Sequence, residues 1–247
     1  HLCDRRQRQM CIRDSGKHSN QTLAEALNNS CNPCFTDIAL ALGTETFYDY
    51  LELFGFGKVT GIDFSGEAQG MLVTESAVRL CDLARIGFGQ SVAVTAIQLA
   101  CAAASAVNGG YYYRPRLVRS IASADGKIEE EIAPVLVNRT VSEQTSRLLA
   151  QMLEGVVAKG SGSRAFIEGY KVAGKTGTAQ KFENGSIAQG KYVSSFLGFF
   201  PSDDPQYLAL VIVDEPVGAC YGSVVAAPAA KEIFEGIIEV KGIEPYE

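Results

Sequence analysis

A chain of 247 residues that is 47% hydrophobic and 20% charged can bury a real core, as one domain or one domain with a small lobe. Its formal charge of −6 argues against a nucleic-acid or anionic-membrane partner. No apolar run is long enough to cross a bilayer; the longest, 92–107, is broken by Thr95, Gln98 and Ser105 and reads as a buried helix.

The first fifteen residues, HLCDRRQRQMCIRDS, lack periodicity, and MCIRDS is what a sequencing adapter gives when translated in one frame. Residues 1–15 therefore read as an assembly scar and 16–247 as part of a domain, incomplete at its N-terminus. A short helix is predicted over 22–27, ending at Asn28-Asn29. Pro33 suits the first turn of a helix to Leu42, with Phe35, Ile38 and Leu42 inward and Gly43 as its stop. Thr44 caps another helix through Leu53, closed by Gly55, and GFGKVTGIDFSGEAQG (55–70) is loop-like. Thr95 caps a helix through Val107; 111–121 then reads as extended, and Gly126 marks a hairpin before 128–135. Ser142 caps an amphipathic helix with Leu148, Leu149, Met152 and Val156 inward, closed by Gly160. Strand-like runs at 170–181, 192–200 and 207–214 precede a last helix over 229–240. This order predicts a mixed α/β or α+β domain, an antiparallel sheet flanked by helices with a mostly helical lobe.

Without residues 1–15 one histidine remains, His18, in the polar stretch SGKHSNQT, where it reads as solvent-exposed. A Ser-His-Asp or Cys-His site needs an imidazole base, and zinc needs His/Cys clusters at spacings absent here, so neither metal nor cofactor is expected. Acid–base work near neutral pH would fall to a lysine whose pKa is lowered by burial or a neighbouring charge. CNPC, at 31–34, has C-x-x-C spacing, but redox chemistry wants a preceding strand and TLAEALNNS is helical; small core residues are the plainer reading. Cys81, Cys101 and Cys220 are isolated and form no disulfide framework.

GYKVAGKT (169–176) satisfies the phosphate-loop pattern G-x-x-x-x-G-K-[ST], and YLALVIVDE (207–215) resembles the strand that would hold its magnesium. That loop needs a buried strand before it and a helix starting at the Gly-Lys-Thr. KGSGSRAFIE lacks the strand, and TGTAQKFENGS reads as strand then hairpin. Pro216 after Asp214-Glu215 makes a strand-end turn sufficient. The same lysine opens KTGT. On a strand, Lys175 and Gly177 face one way and Thr176 and Thr178 the other, with Gly177 leaving room for a peptide to lie along the edge. A cation and two hydroxyls suit a carboxylate ligand, although an isolated K-T-G also fits an edge strand with a solvated lysine.

K-T-G belongs with S-x-x-K and S-x-N in penicillin-binding proteins and serine β-lactamases. Ser30-Cys31-Asn32 supplies S-x-N, although Asn32 alone reads as a helix cap ahead of Pro33. TLAEALNNSCNPCFTDIALALG, FGFGKVTGIDFSGEAQG, GFGQSVAVTAIQLACAAASAVNGG, VAGKTGTAQ and YVSSFLGFFPSDDPQYLALVIVDEP resemble, in order, segments of the transpeptidase domain of class B penicillin-binding proteins. The resemblance covers roughly residues 20 to 245.

It implies a peptidoglycan D,D-transpeptidase that binds β-lactams covalently, on the outer side of the bacterial cytoplasmic membrane. Stem peptides ending in D-Ala-D-Ala would be its substrates, and membrane-bound cell-wall synthesis proteins its partners. Ser30 would relay a proton, Asn32 would bind the substrate's peptide group, and Lys175 would supply positive potential. Thr176 and Thr178 would meet the terminal carboxylate beside Gly177, and the Thr178 N–H would form half of an oxyanion hole. One departure stands out: no serine in the 247 residues is followed three places on by lysine. The expectation is a fragment without its nucleophile, unable to form a penicillin adduct and exposing core surface. A related serine β-lactamase or carboxypeptidase, and a non-catalytic scaffold domain, are the other readings.

Overall fold

The structure, a computed structural model, describes residues 21–183 and 186–246; residues 1–15 and His18 lie outside that range. The chain starts with helices whose ends are set by local chemistry. Thr22 accepts the Glu25 amide while the Glu25 carboxylate takes the Thr22 N–H, which starts α1 (Leu23–Asn28). α2 (Asn32–Leu42) follows with Pro33 in its first turn, and α3 (Thr44–Leu53) begins directly after Gly43. Gly43, at φ 78°, both ends α2 and opens α3, so Thr44 lies inside the first turn and is not the cap expected of it.

The inward face of α2 also differs from expectation. Thr36 and Ala39 are buried, whereas Ile38 and Leu42 are 38% and 46% exposed. The face was chosen by close approach to α4 (Leu80–Ile86), a helix with no clear sequence signal. Thr36 donates to the Ala84 carbonyl, and a Cβ on Gly87 would collide with that of Ala39. Small residues let two helices touch where larger ones would hold them apart.

α5 (Ala96–Val107) starts on a Thr95/Gln98 box. Gln98 is fully buried, and its amide donates to the carbonyls of Lys58 (2.5 Å) and Gln69 (3.0 Å), pinning the glycine-rich loop to the helix. The stretch expected to be extended splits into β1 (Tyr111–Tyr113) and β2 (Ser120–Ala122). β2 forms a hairpin with β3 (Ile128–Glu131), while β4 (Leu136–Arg139) returns to pair with β1. α6 (Glu143–Lys159) is capped by Ser142 as expected. Its buried stripe runs through Ser146, Ala150, Leu153 and Val157 as well as Val156, and Leu148 is 51% exposed. The helix is rotated because it fits under a sheet, where Ala150 permits contact that a leucine would block.

That sheet is an antiparallel meander of β5 (Ala173–Glu183), β6 (Ser186–Phe200) and β7 (Tyr207–Asp214), in that order, with β5 at one edge. One face carries Phe196 and Phe200 against Val157 and against Phe234 of the last long helix. The other packs Ala173 and Phe199 against Val107, Leu153 and Val156. A short helix α7 (Gly222–Val225) leads into α8 (Ala227–Lys241), which carries Phe234. Helices therefore cover both faces of the sheet, and the β5 edge meets the end of α1.

Candidate active site

The S-x-N segment is a turn between two helices. Asn29 ends α1; Ser30 then turns left-handed, at φ 52°. Its N–H bonds the Leu27 carbonyl at 3.2 Å, and the Cys31 N–H bonds the Ala26 carbonyl at 2.9 Å. This is a Schellman ending flanked by buried Ala26 and Cys31, with Ser30 in the position that glycine normally fills. A serine there costs about 1 kcal/mol in backbone strain. Cys31 is extended and starts α2, Asn32 occupies its first turn, and no side chain caps the helix. The capping reading of Asn32 is not realised. C-x-x-C follows a helix, not a strand, so the redox context is missing as well.

The strained turn aims Ser30 at β5. Lys175 Nζ donates to Ser30 Oγ at 2.8 Å, across 145 residues of chain, and to the carbonyl of the adjacent Thr176 at 3.1 Å. Burial pushes the Lys175 pKa down to about 8, and no carboxylate pairs with it among the described residues. Lys181, six residues further along the strand, shows the opposite behaviour. It bonds Asp214 at 2.9 Å and Glu215 at 2.7 Å, and its pKa is raised above the ordinary lysine value. The acidic pair after β7 is thus engaged by a lysine. The strand also continues straight through Gly174-Lys175-Thr176, with no helix starting there, so the phosphate-loop match has none of the geometry it needs.

Alternation holds along KTGT. Thr176 Oγ1 donates to Ser161 Oγ at 3.2 Å, and Thr178 Oγ1 accepts the Gly222 N–H at 3.0 Å. Thr178 keeps its own proton available to donate. Gly177 has a nearer reason than ligand access: a Cβ there would sit 2.5 Å from Ser195 Oγ, its cross-strand neighbour. Gly222 is required on the same grounds, since a Cβ would run into the carbonyl oxygens of Gly177 and Ser195. Asn32 stands two residues from Ser30, half-buried, and makes no side-chain hydrogen bond to KTGT among the described residues. Ser30, Lys175, Thr176, Gly177 and Thr178 are therefore brought to one sheet edge, with Asn32 beside them. Ser161 and Gly222 join them without any sequence signal: one is a serine after a helix stop, the other the first residue of the short helix α7. A cleft of about 730 Å³ on the helical lobe, lined by Asp49, Tyr112, Arg114 and Asn138 among others, contains none of these residues.

A family model described as "Penicillin binding protein transpeptidase domain" matches residues 6–235. The chain belongs to this family. The match includes residues 6–15 of the stretch that the sequence sets apart, which lie outside the described residues. Stage V sporulation protein D of Bacillus subtilis is 41% identical over 232 residues, covering 93% of this chain and 36% of that protein. Peptidoglycan D,D-transpeptidase FtsI of Escherichia coli K12 is 32% identical over 236 residues, covering 95% of this chain and 38% of the relative. The chain thus spans little more than a third of these relatives. Penicillin binding protein 3 of Mycobacterium tuberculosis, solved in complex with aztreonam, superposes with a TM-score of 0.84 at 28% identity, covering 95% of this chain and 55% of that one. The TP domain of Burkholderia pseudomallei penicillin-binding protein 3 gives 0.83 at 26% identity, covering 95% and 69%. The mixed helices and antiparallel sheet match these transpeptidase domains, as the resemblance to class B penicillin-binding proteins implied.

Proposed function

We propose that the chain carries the carboxylate-binding and proton-handling half of a peptidoglycan D,D-transpeptidase site. The observation that supports this best is the Lys175–Ser30 contact, which joins K-T-G to S-x-N in a region where Lys175 has no carboxylate partner among the described residues. A half-buried cation without a counter-ion stabilises an incoming anion, here the carboxylate of a terminal D-alanine or of a β-lactam. Thr176 and Thr178 would donate to that carboxylate, and Asn32 would hold the peptide group behind it. The Thr178 N–H would polarise the scissile carbonyl, a donor worth about 3–4 kcal/mol of transition-state stabilisation. Ser30 would pass a proton between the catalytic base and the leaving group. The reaction is acylation of a serine with release of D-alanine, followed by attack of a neighbouring stem-peptide amine on the ester.

The nucleophile of that reaction is not among these residues, because the 247 positions hold no S-x-x-K. The whole protein would work at the outer face of the cytoplasmic membrane with other cell-wall synthesis proteins and would bind β-lactams covalently. Incubation with a fluorescent penicillin followed by intact-mass measurement tests the assignment. The 247-residue chain is expected to stay unmodified, whereas the whole protein gains one adduct. Labelling of any serine in 16–247 sinks it.

A further inference from the structure

The proposed site leaves one hydroxyl unassigned. Ser161 lies in the loop after α6, half-buried, and touches both motif-bearing elements at once. Its N–H bonds the carbonyl of Asn28, the last residue of α1 and two before Ser30, at 3.3 Å. Its Oγ meets Thr176 Oγ1 at 3.2 Å. The glycines around it bring α1 this close: a Cβ on Gly160 would sit 2.8 Å from the Asn28 carbonyl oxygen, and one on Gly155 would sit 3.2 Å from Asn28 Oδ1. Apart from the Lys175–Ser30 contact, Ser161 is the link by which the end of α1 reaches KTGT through hydrogen bonds among the described residues.

We infer that Ser161 is a positioning residue that sets the direction of the Thr176 hydroxyl proton for carboxylate binding, an inference that rests on the carboxylate-site reading above. A hydroxyl donates one proton and accepts through two lone pairs. With the site empty, Thr176 donates to Ser161. When a carboxylate arrives, the pair reverses: Ser161 donates to Thr176, and Thr176 turns its own proton to the anion. Each hydrogen bond in such a chain polarises the next, so Thr176 becomes a stronger donor than it would be alone. The backbone bond from Ser161 to Asn28 keeps the loop, and hence this pair, in register with the turn that carries Ser30.

The test uses the 247-residue chain, diacetyl-lysyl-D-alanyl-D-alanine and the C-terminal amide of the same peptide, followed by NMR titration. Wild-type chain is expected to prefer the acid over the amide. Ser161→Ala should weaken acid binding about fivefold, the loss of one neutral hydrogen bond of ~1 kcal/mol, and leave amide binding unchanged. Ser161→Thr should restore the preference; Ser161→Cys, similar in size but a poor donor, should behave like the alanine variant and serves if that variant does not fold. The three-bond N–Cγ coupling of Thr176, which reports its χ1 without ligand, should show one rotamer in wild type and averaging in Ser161→Ala. Acid binding within twofold of wild type in both Ser161→Ala and Ser161→Cys, or an unchanged Thr176 coupling in both, overturns the role of Ser161. A wild-type chain that binds acid and amide equally overturns the carboxylate site itself, and this inference with it.

Discussion

At the scale of the residue, Lys175 combines a stability cost with the carboxylate-binding role proposed for it. Its folded pKa of about 8 lies below the ordinary 10.5, so the native state disfavours the charged form. The penalty is fully present below pH 8 and fades as pH rises toward 10.5, because in that window the unfolded chain binds more protons. Replacing the lysine with methionine should stabilise the fold by roughly 1–2 kcal/mol at pH 7, and the gain should vanish by about pH 10.5. Thermal unfolding of both proteins across that range checks the sign. Ligand binding should show the reverse trend: affinity for a carboxylate peptide falls as pH passes 8 and the cation is lost, which calorimetry at pH 7 and pH 9.5 would measure. Ser30 follows the same logic in its backbone. Ser30→Gly should gain about 0.5–1 kcal/mol by relieving the left-handed strain, while removing the hydroxyl that accepts from Lys175.

At the scale of the element, the site depends on contacts too close to admit a side chain. α7 lies so near the β5–β6 pair that Gly222 has no room for a methyl group. Gly222→Ala should force the helix off the sheet, free the Thr178 hydroxyl of its N–H partner, and cost more than about 2 kcal/mol. A drop in urea midpoint with unchanged slope would register it. Gln98 plays the corresponding part in the helical lobe. Gln98→Leu removes the donor to the carbonyls of Lys58 and Gln69, a cost of about 1–3 kcal/mol for two part-buried acceptors. Hydrogen exchange should show the 55–70 loop opening before the rest of the lobe. Legibility at this scale was uneven. The Thr95 and Ser142 caps were readable because capping is a local matter of residues three apart, whereas Thr22 was taken into the helix it caps and Thr44 for a cap that Gly43 provides. The inward faces of α2 and α6 were misread because the largest apolar residues were taken as core, whereas Thr36, Ala39 and Ala150 lie where neighbouring elements come closest.

At the scale of the whole molecule, the meander holds two cores together. Phe234 is fully buried and meets Phe200 edge-on with ring centroids 5.0 Å apart, anchoring α8 to one face of the sheet. Phe234→Ala should cost about 3–5 kcal/mol and loosen β6, whose other face packs Phe199 against α5 and α6. Loss of near-UV circular dichroism at lower urea than wild type is the expected sign. Since Lys175 and Ser30 meet only where sheet and α1 converge, the same variant should weaken carboxylate binding from far outside the site. Equal binding by wild type and variant under conditions where both remain folded would contradict that coupling.

Most of the long helices, the meander, the edge position of KTGT and its membership of a transpeptidase motif set were present in the sequence, whereas α4 and the split of β1 from β2 were not. Each depends on periodicity, punctuation or residue type over short spans of chain. The phosphate-loop pattern was equally present letter for letter, and its flanks already argued against it; the strand running through Lys175 completed the case. Only the tertiary structure decided that Ser30 takes a left-handed turn toward Lys175, that Gly177 clears the Ser195 hydroxyl, and that Ser161 and Gly222 contact KTGT. These are contacts between positions from 15 to 145 residues apart. Their energy comes from close approach and shared hydrogen bonds, which leave no period in the chain that makes them.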